Sequence, residues 1–165
     1  MIKRKPPRLE LIFQRFDAPV FFVTFNTHRR QRILASVAVH DAFIVYCKRA
    51  TQFGIGVGRY VTMPDHVHLF VCFGAACAVT LSEWIKGLKR HLDRALLAAG
   101  ADRVRVAGQR FSSFWQPGFH DHLLRSDESY ADKWDYVFQN PVRAGLVVRA
   151  EDWPFAGEIV RIDRT

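Results

Sequence analysis

Thr62-Met63-Pro64-Asp65-His66-Val67-His68-Leu69-Phe70-Val71-Cys72-Phe73 is the stretch that decides how this chain reads. Met63-Pro64-Asp65 is turn chemistry, because proline fixes its backbone and aspartate closes a turn with its side chain. The residues that follow alternate as a strand does. His66, His68, Phe70 and Cys72 share one face, and Val67, Leu69, Val71 and Phe73 share the other. Two imidazoles separated by one residue therefore point the same way, roughly 7 Å apart at their Cα atoms. Both can reach one divalent cation, although two half-exposed histidines on an ordinary sheet give the same pattern. The rest of the chain has to decide between these readings.

At 165 residues the chain is long enough for one domain with a real core, and its 49% apolar content excludes wholesale disorder. We expect a basic lead-in over residues 1–17 and a single domain over 18–165. No apolar run is long enough to cross a membrane, and the basic start lacks the apolar stretch of a signal peptide. Three cysteines without a Cys-x-x-Cys pair point to a reducing compartment, so a cytoplasmic location is expected. A net charge of +8 and a pI near 9.9 favour a polyanion as partner, nucleic acid before a membrane surface.

Outward from the histidines, residues 20–27 alternate Phe21, Val23 and Phe25 with Phe22, Thr24 and Asn26, the pattern of a strand with one buried face. Arg29, Arg30 and Arg32 then make a dense basic loop, either merely solvated or contacting phosphate. A helix is predicted over 36–53, with Val39, Phe43, Tyr46, Cys47 and Ala50 as its apolar stripe and Gly54 as its stop. Residues 55–62 form a strand that turns through Met63-Pro64-Asp65 into the histidine strand as an antiparallel hairpin. Gly56 and Gly58 fit no phosphate loop and predict close packing or a bulge.

Thr80 and Glu83 make a capping box for a second helix with a core stripe of Leu81, Trp84, Ile85, Leu88, Leu92 and Leu96. Lys86, Lys89, Arg90 and Arg94 lie on its other face, which is either solvated or phosphate-facing. Residues 101–110 read as a linker, 111–119 as an aromatic turn-rich segment, and 120–125 as a short segment. Ser126-Asp127-Glu128 is predicted to open a last helix that Pro141 ends after Asn140. Residues 145–148 read as a further strand or an extended tail, and 152–155 as packing back on the body. The resulting order is strand, helix, strand, strand, helix, weaker strand. The fold class predicted is α+β, a ferredoxin-like split βαβ: an antiparallel sheet with helices on one face plus an appended C-terminal helix.

That last helix carries two tyrosines. Tyr130 falls with Trp134, Val137 and Pro141 on an apolar face, whereas Tyr136 shares a polar face with Asp132, Lys133 and Asn140. Tyr136 is then either a surface tyrosine beside a cap asparagine or a nucleophile beside a metal-ligating amide. His66-Val67-His68 after Met63-Pro64-Asp65, Trp115-Gln116-Pro117-Gly118-Phe119 with His122, the run from Tyr136 through Asn140-Pro141-Val142-Arg143 to Val147, and Asp152-Trp153-Pro154-Phe155 occur in that order. Together they resemble the single-tyrosine HUH transposases, in the branch called REP-associated tyrosine transposases.

The resemblance covers residues 21–155 and implies a ferredoxin-like nuclease and strand transferase acting on single-stranded DNA at palindromic repeat hairpins. It implies His66 and His68 as metal ligands, Tyr136 as the nucleophile, Asn140 as the third ligand, and Mg²⁺ or Mn²⁺ as the cofactor. Many insertion-sequence relatives place a glutamine where this chain has Asn140, and the shorter asparagine suits the REP-associated branch. His122 receives no role. Attack by Tyr136 would leave a 5′-phosphotyrosine and a free 3′-hydroxyl, and a monomer is expected. Arg29, Arg30, Arg32, Lys86, Lys89 and Arg90 are the candidate DNA contacts.

Two other readings compete. A zinc hydrolase using His66, His68 and Cys72 is disfavoured, since Cys72 lies roughly 13 Å along the strand from His68. A non-catalytic module binding single-stranded DNA or RNA would need exposed aromatics on the sheet, for which Phe70 is the candidate, and it leaves the histidines without purpose.

Overall fold

In the computed structural model, which describes residues 18–105, 107–125 and 129–162, the histidine strand is the middle of the sheet. β1 (Val20–Asn26) and β2 (Ile55–Thr62) flank β3 (His66–Phe73) on either side. β4 (Val104–Arg105) and β5 (Ser112–Ser113) make a separate two-stranded ribbon. β6 (His120–Leu123) joins the free edge of β1 and β7 (Ala156–Glu158) the free edge of β2. The order is β6-β1-β3-β2-β7, with every pairing antiparallel. With a neighbour on both sides, β3 cannot slip by one residue without turning its whole apolar set outward, so the histidine face is firmly specified.

The crossovers are α1 (Val37–Ala50) and α2 (Leu81–Ala98). Ser36 caps α1 by accepting from the Val39 N–H, and Gly54, at φ 76°, ends the short 3₁₀ turn after it in a conformation that glycine tolerates best. α2 begins with the predicted capping box: Thr80 accepts from the Glu83 N–H, and the Glu83 carboxylate accepts from the Thr80 N–H. Both helices bury their stripes on one sheet face, where Phe43, Trp84, Ile85, Leu88 and Leu92 pack with Val23, Phe25, Val67, Leu69 and Val71. This is the ferredoxin-like split βαβ arrangement that was expected.

The second half departs from the expectation in several places. The predicted linker contains β4, and the fourth strand is β6, within the short segment at 120–125. Residues 145–148 are not a strand. Gly145 turns the chain at φ 69°, and Trp153 anchors the next segment by donating its indole N–H to the Thr62 carbonyl at 3.0 Å. The Thr62 N–H donates back to the Phe155 carbonyl at 2.8 Å, so 152–155 does pack on the body, and β7 follows from it.

The last helix, α3 (Tyr130–Phe138), starts after Ser129, which accepts from the Asp132 N–H at 3.1 Å. Ser126-Asp127-Glu128, expected to open it, lie outside the described residues, as does the basic lead-in over 1–17. Pro141 does not end the helix either. α3 stops at Phe138, and α4 (Asn140–Arg143) is a further turn with Pro141 at its start, where a missing N–H costs nothing. α3 packs on the sheet face opposite α1 and α2. Tyr130 meets Phe70 edge-on at 4.6 Å, and Val137 meets Val61 and Met63. Among the described residues no helix is long and apolar enough to cross a membrane.

Candidate active site

α3 crosses the sheet face that carries the histidines, and the turn before β3 aims the first of them. The Asp65 carbonyl accepts from the Thr27 N–H at 2.9 Å and the Pro64 carbonyl from the Leu34 N–H at 2.9 Å, so the Asp65 backbone is held from two segments. Its carboxylate reaches Nδ1 of His66 at 2.6 Å and is approached by Arg30 Nε at 3.4 Å. His68 stands directly across from Thr24 in the β1–β3 register, and Thr24 Oγ1 lies 2.7 Å from His68 Nδ1. The Asp65 carboxylate can only accept, so it puts the His66 proton on Nδ1 and the lone pair a cation needs on Nε2; the Thr24 hydroxyl allows the same tautomer for His68.

The two rings lie 4.7 Å apart and nearly perpendicular, and Phe22 stacks on His68 at 5.4 Å. Burial lowers the pKa of both histidines. His68 is brought down from 6.5 to about 3 by burial first, then by the charges of His66, Arg30 and Arg143. Near neutral pH both imidazoles are uncharged, the form in which histidine ligates a metal.

Facing them is an open cleft of about 460 Å³ lined by Phe22, His68, Lys133, Tyr136, Val137 and Asn140. Val137 points into the sheet, which turns its neighbour Tyr136 outward at 69% exposure. Tyr130 is 4% exposed, and its hydroxyl accepts from the Arg59 N–H at 3.0 Å. The predicted division between a presented and a buried tyrosine is what the structure has. Asn140 Oδ1 accepts from Arg143 Nη2 at 2.7 Å, and the Arg143 guanidinium lies 4.2 Å above the Tyr136 ring.

The donor set would be mixed, two borderline imidazole nitrogens and one hard amide oxygen, which a divalent first-row cation accepts. His66 and His68 offer two neutral nitrogens, and the Asn140 oxygen retains a lone pair beyond the one given to Arg143. Among the described residues no three His, Cys, Asp or Glu side chains are grouped closely enough to hold a metal by themselves. Cys72 is buried with Val20, Phe70, Leu124 and Tyr130, away from the histidines, as the geometry against a zinc hydrolase required. The binding-module reading loses its platform as well, because Phe70 is fully buried beneath Tyr130 instead of exposed.

The basic candidates divide. Arg30 belongs to the histidine site through Asp65, while Arg29 and Arg32 are exposed on the same loop. Lys86 and Arg90 are exposed on α2, on the far side of the sheet from the histidines. Lys89 is occupied differently. Its Nζ donates to the carbonyls of Gln116 and Gly118 at 3.2 and 2.5 Å, and burial lowers its pKa to about 8. It fastens the Trp115-Gln116-Pro117-Gly118 segment, whose indole also donates to Asp93 at 2.7 Å. His122 sits on β6 opposite Phe22, on the histidine face. Sequence reasoning missed Thr24, Asp65, Lys133 and Arg143 as site residues. Asp65 carried a signal as the neighbour of His66, Lys133 by sharing the helix face of Tyr136, and Arg143 by lying in the run after Asn140, whereas Thr24 carried none.

Residues 19–136 match the family described as transposase IS200-like. The chain is similar to the REP-associated tyrosine transposase of Escherichia coli, at 26% identity over 136 residues, covering 82% of this chain and 73% of that protein. It is 30% identical over 140 residues to a Haemophilus influenzae protein assigned to the REP-associated tyrosine transposases, covering 83% of this chain and 78% of that protein. A solved structure of a REP-associated tyrosine transposase bound to a REP hairpin has the same fold. Its TM-score is 0.59 at 24% identity, over 94% of this chain and 82% of that one.

Proposed function

The chain belongs to the IS200-like transposases, in the branch of REP-associated tyrosine transposases, and from that premise we propose that it cuts and rejoins single-stranded DNA through Tyr136. The observation that carries this reading is one cleft gathering His68 from β3, Tyr136 from α3 and Asn140 from α4. Its substrate is single-stranded DNA at palindromic repeat hairpins, and it acts as a monomer in the cytoplasm.

A phosphodiester repels nucleophiles by its own charge, and a phenol of pKa about 10 is a weak nucleophile at neutral pH. Tyr136 supplies the attacking oxygen. Its bond to phosphorus forms as the bond from phosphorus to the 3′-oxygen breaks. The 3′-oxygen leaves with the electron pair and takes a proton from water, and the phenol proton passes to water. The ester energy stays in the phosphotyrosine, so a second 3′-hydroxyl can reverse the step without ATP. His66, His68 and Asn140 are the residues that would hold Mg²⁺ or Mn²⁺, which would offset the charge of the phosphate. Asp65 and Thr24 fix the two rings, and burial keeps them neutral.

Incubation with Mn²⁺ and a pool of single-stranded hairpin oligonucleotides, followed by a denaturing gel, tests the assignment. The parent protein forms a covalent adduct, Tyr136→Phe forms none, and Tyr130→Phe retains it. His66→Ala and His68→Ala lose the adduct and lose Mn²⁺ binding by calorimetry. A DNA-linked peptide containing Tyr130, or an adduct on Tyr136→Phe, would overturn the reading.

A further inference from the structure

Two cations flank the candidate nucleophile, and the chemistry above uses neither. Lys133 lies one helical turn before Tyr136 and lines the same cleft as His68 and Asn140. Its Nζ stands 5.1 Å from the centre of the Phe22 ring, the ring that stacks on His68. Arg143 comes from α4, and its guanidinium lies 4.2 Å from the centre of the Tyr136 ring, with one N–H committed to Asn140. Among the described residues, no carboxylate lies at ion-pair distance from either. Two cations at the cleft that Tyr136 lines, without acidic partners, favour an anion there. The guanidinium keeps most of its N–H donors for such an anion, and the ammonium offers three more.

We infer that Lys133 and Arg143 form a cationic seat for the phosphate that Tyr136 attacks. The inference rests on the reading of Tyr136 as nucleophile. The two side chains hold the non-bridging oxygens while the bond from Tyr136 Oη to phosphorus forms and the bond to the 3′-oxygen breaks. The seat supplies no atom and moves no proton. It offsets the charge carried by the non-bridging oxygens, as preorganised cations do in phosphoryl transfer. Because Arg143 also holds the Tyr136 ring and the Asn140 amide, a phosphate in this seat lies against the hydroxyl that attacks it.

The test compares a charged with an uncharged phosphate. The cleavage site is first mapped with the parent protein on the hairpin pool. That oligonucleotide is then made again with a single methylphosphonate at the mapped linkage, which removes the negative charge of the phosphate. On the natural linkage Arg143→Gln and Lys133→Gln each slow adduct formation, Arg143→Gln on the order of 10²-fold. On the methylphosphonate the gap between parent and variant closes to about twofold, because no charge remains for the missing cation to offset. Lys133 is half-buried and Arg143 exposed, and an unchanged melting temperature establishes that the variants fold. Variants as fast as the parent on the natural linkage overturn the seat alone. So does an equal gap on both linkages, which would mean that the residues act through the fold. A parent protein that forms no adduct with any hairpin overturns the nucleophile reading, and the seat with it.

Discussion

At the residue scale, the histidine pair is set by what holds the nitrogens that face away from the cleft. Asp65 and Thr24 each occupy an Nδ1, and neither touches the cleft itself. Partners of this kind fix ring orientation, and their loss costs metal affinity about 10–100-fold. Thr24→Val, which keeps the shape of the side chain and removes its oxygen, should therefore weaken Mn²⁺ binding within that range in a calorimetric titration. Unchanged affinity would show that ring packing alone sets His68. A second consequence concerns acid. The folded-state pKa of His68 lies at about 3 against 6.5 for a free imidazole, chiefly through burial. The unfolded chain therefore binds this proton first as pH falls. Stability should drop from about pH 6.5 toward pH 3, and remain fully present above pH 6.5 as far as this group is concerned. Denaturant midpoints measured across that range should fall less steeply in His68→Gln than in the parent. The histidines and Tyr136 were legible because spacing on a strand and on a helix puts them on definite faces. Thr24 was not, because it meets His68 only through the β1–β3 register.

At the scale of the element, α3 is placed by its buried side and used by its exposed one. Tyr130 lies on Phe70 and takes the Arg59 N–H, which is available because β2 shifts register between Val57 and Tyr60. Gly58 sits in that irregularity. A Cβ there would stand 2.6 Å from the Tyr130 hydroxyl and 2.6 Å from Ile162 Cδ1. The isoleucine tip can turn aside, but the phenol ring is gripped between the sheet and its hydrogen bond. Gly58→Ala should thus cost about 1–3 kcal/mol, the usual range for overpacking, read as a lower melting temperature. It should also slow adduct formation, because the start of α3 shifts and Tyr136 with it. A variant as stable as the parent would show that Tyr130 moves freely. The sequence pattern had already singled out Gly58 as a packing or bulge position and Tyr130 as core. It misplaced the end of α3, since proline at the first turn of a helix and proline after the last leave the same local signal. It also misplaced the outer strands. β6 and β7 are short and bind to edges of the sheet, so their pairing depends on partners far away in the chain.

At the scale of the whole molecule, the sheet divides the basic candidates among the described residues. Arg29, Arg30 and Arg32 leave the end of β1 beside the histidines, whereas Lys86 and Arg90 project from α2 on the far side. Arg29 and Arg30 hold φ of 54° and 57°, a backbone that non-glycine residues adopt only when their surroundings enforce it. Here the enforcing contacts are those of Arg30 to Asn26 and Asp65. On the proposed reading, a loop held in this way would meet DNA close to the reacting phosphate, while the α2 pair would be reached only by DNA long enough to pass the sheet edge. Each phosphate contact removed should reduce the salt slope of single-strand binding by about 0.7. Replacing the three loop arginines by glutamine should lower that slope on a short oligonucleotide and on a hairpin with flanking strands alike. Replacing Lys86 and Arg90 should lower it on the long hairpin and leave the short one unaffected. Lys89→Gln should change neither slope and should lower the melting temperature, because its Nζ fastens the segment around Gln116 and Gly118 instead of facing solvent. Fluorescence anisotropy over a salt series reads all three. A loop variant with the parent's slope would move the DNA path away from the histidine face, and a Lys89→Gln protein with a reduced slope and the parent's stability would return Lys89 to the DNA contacts.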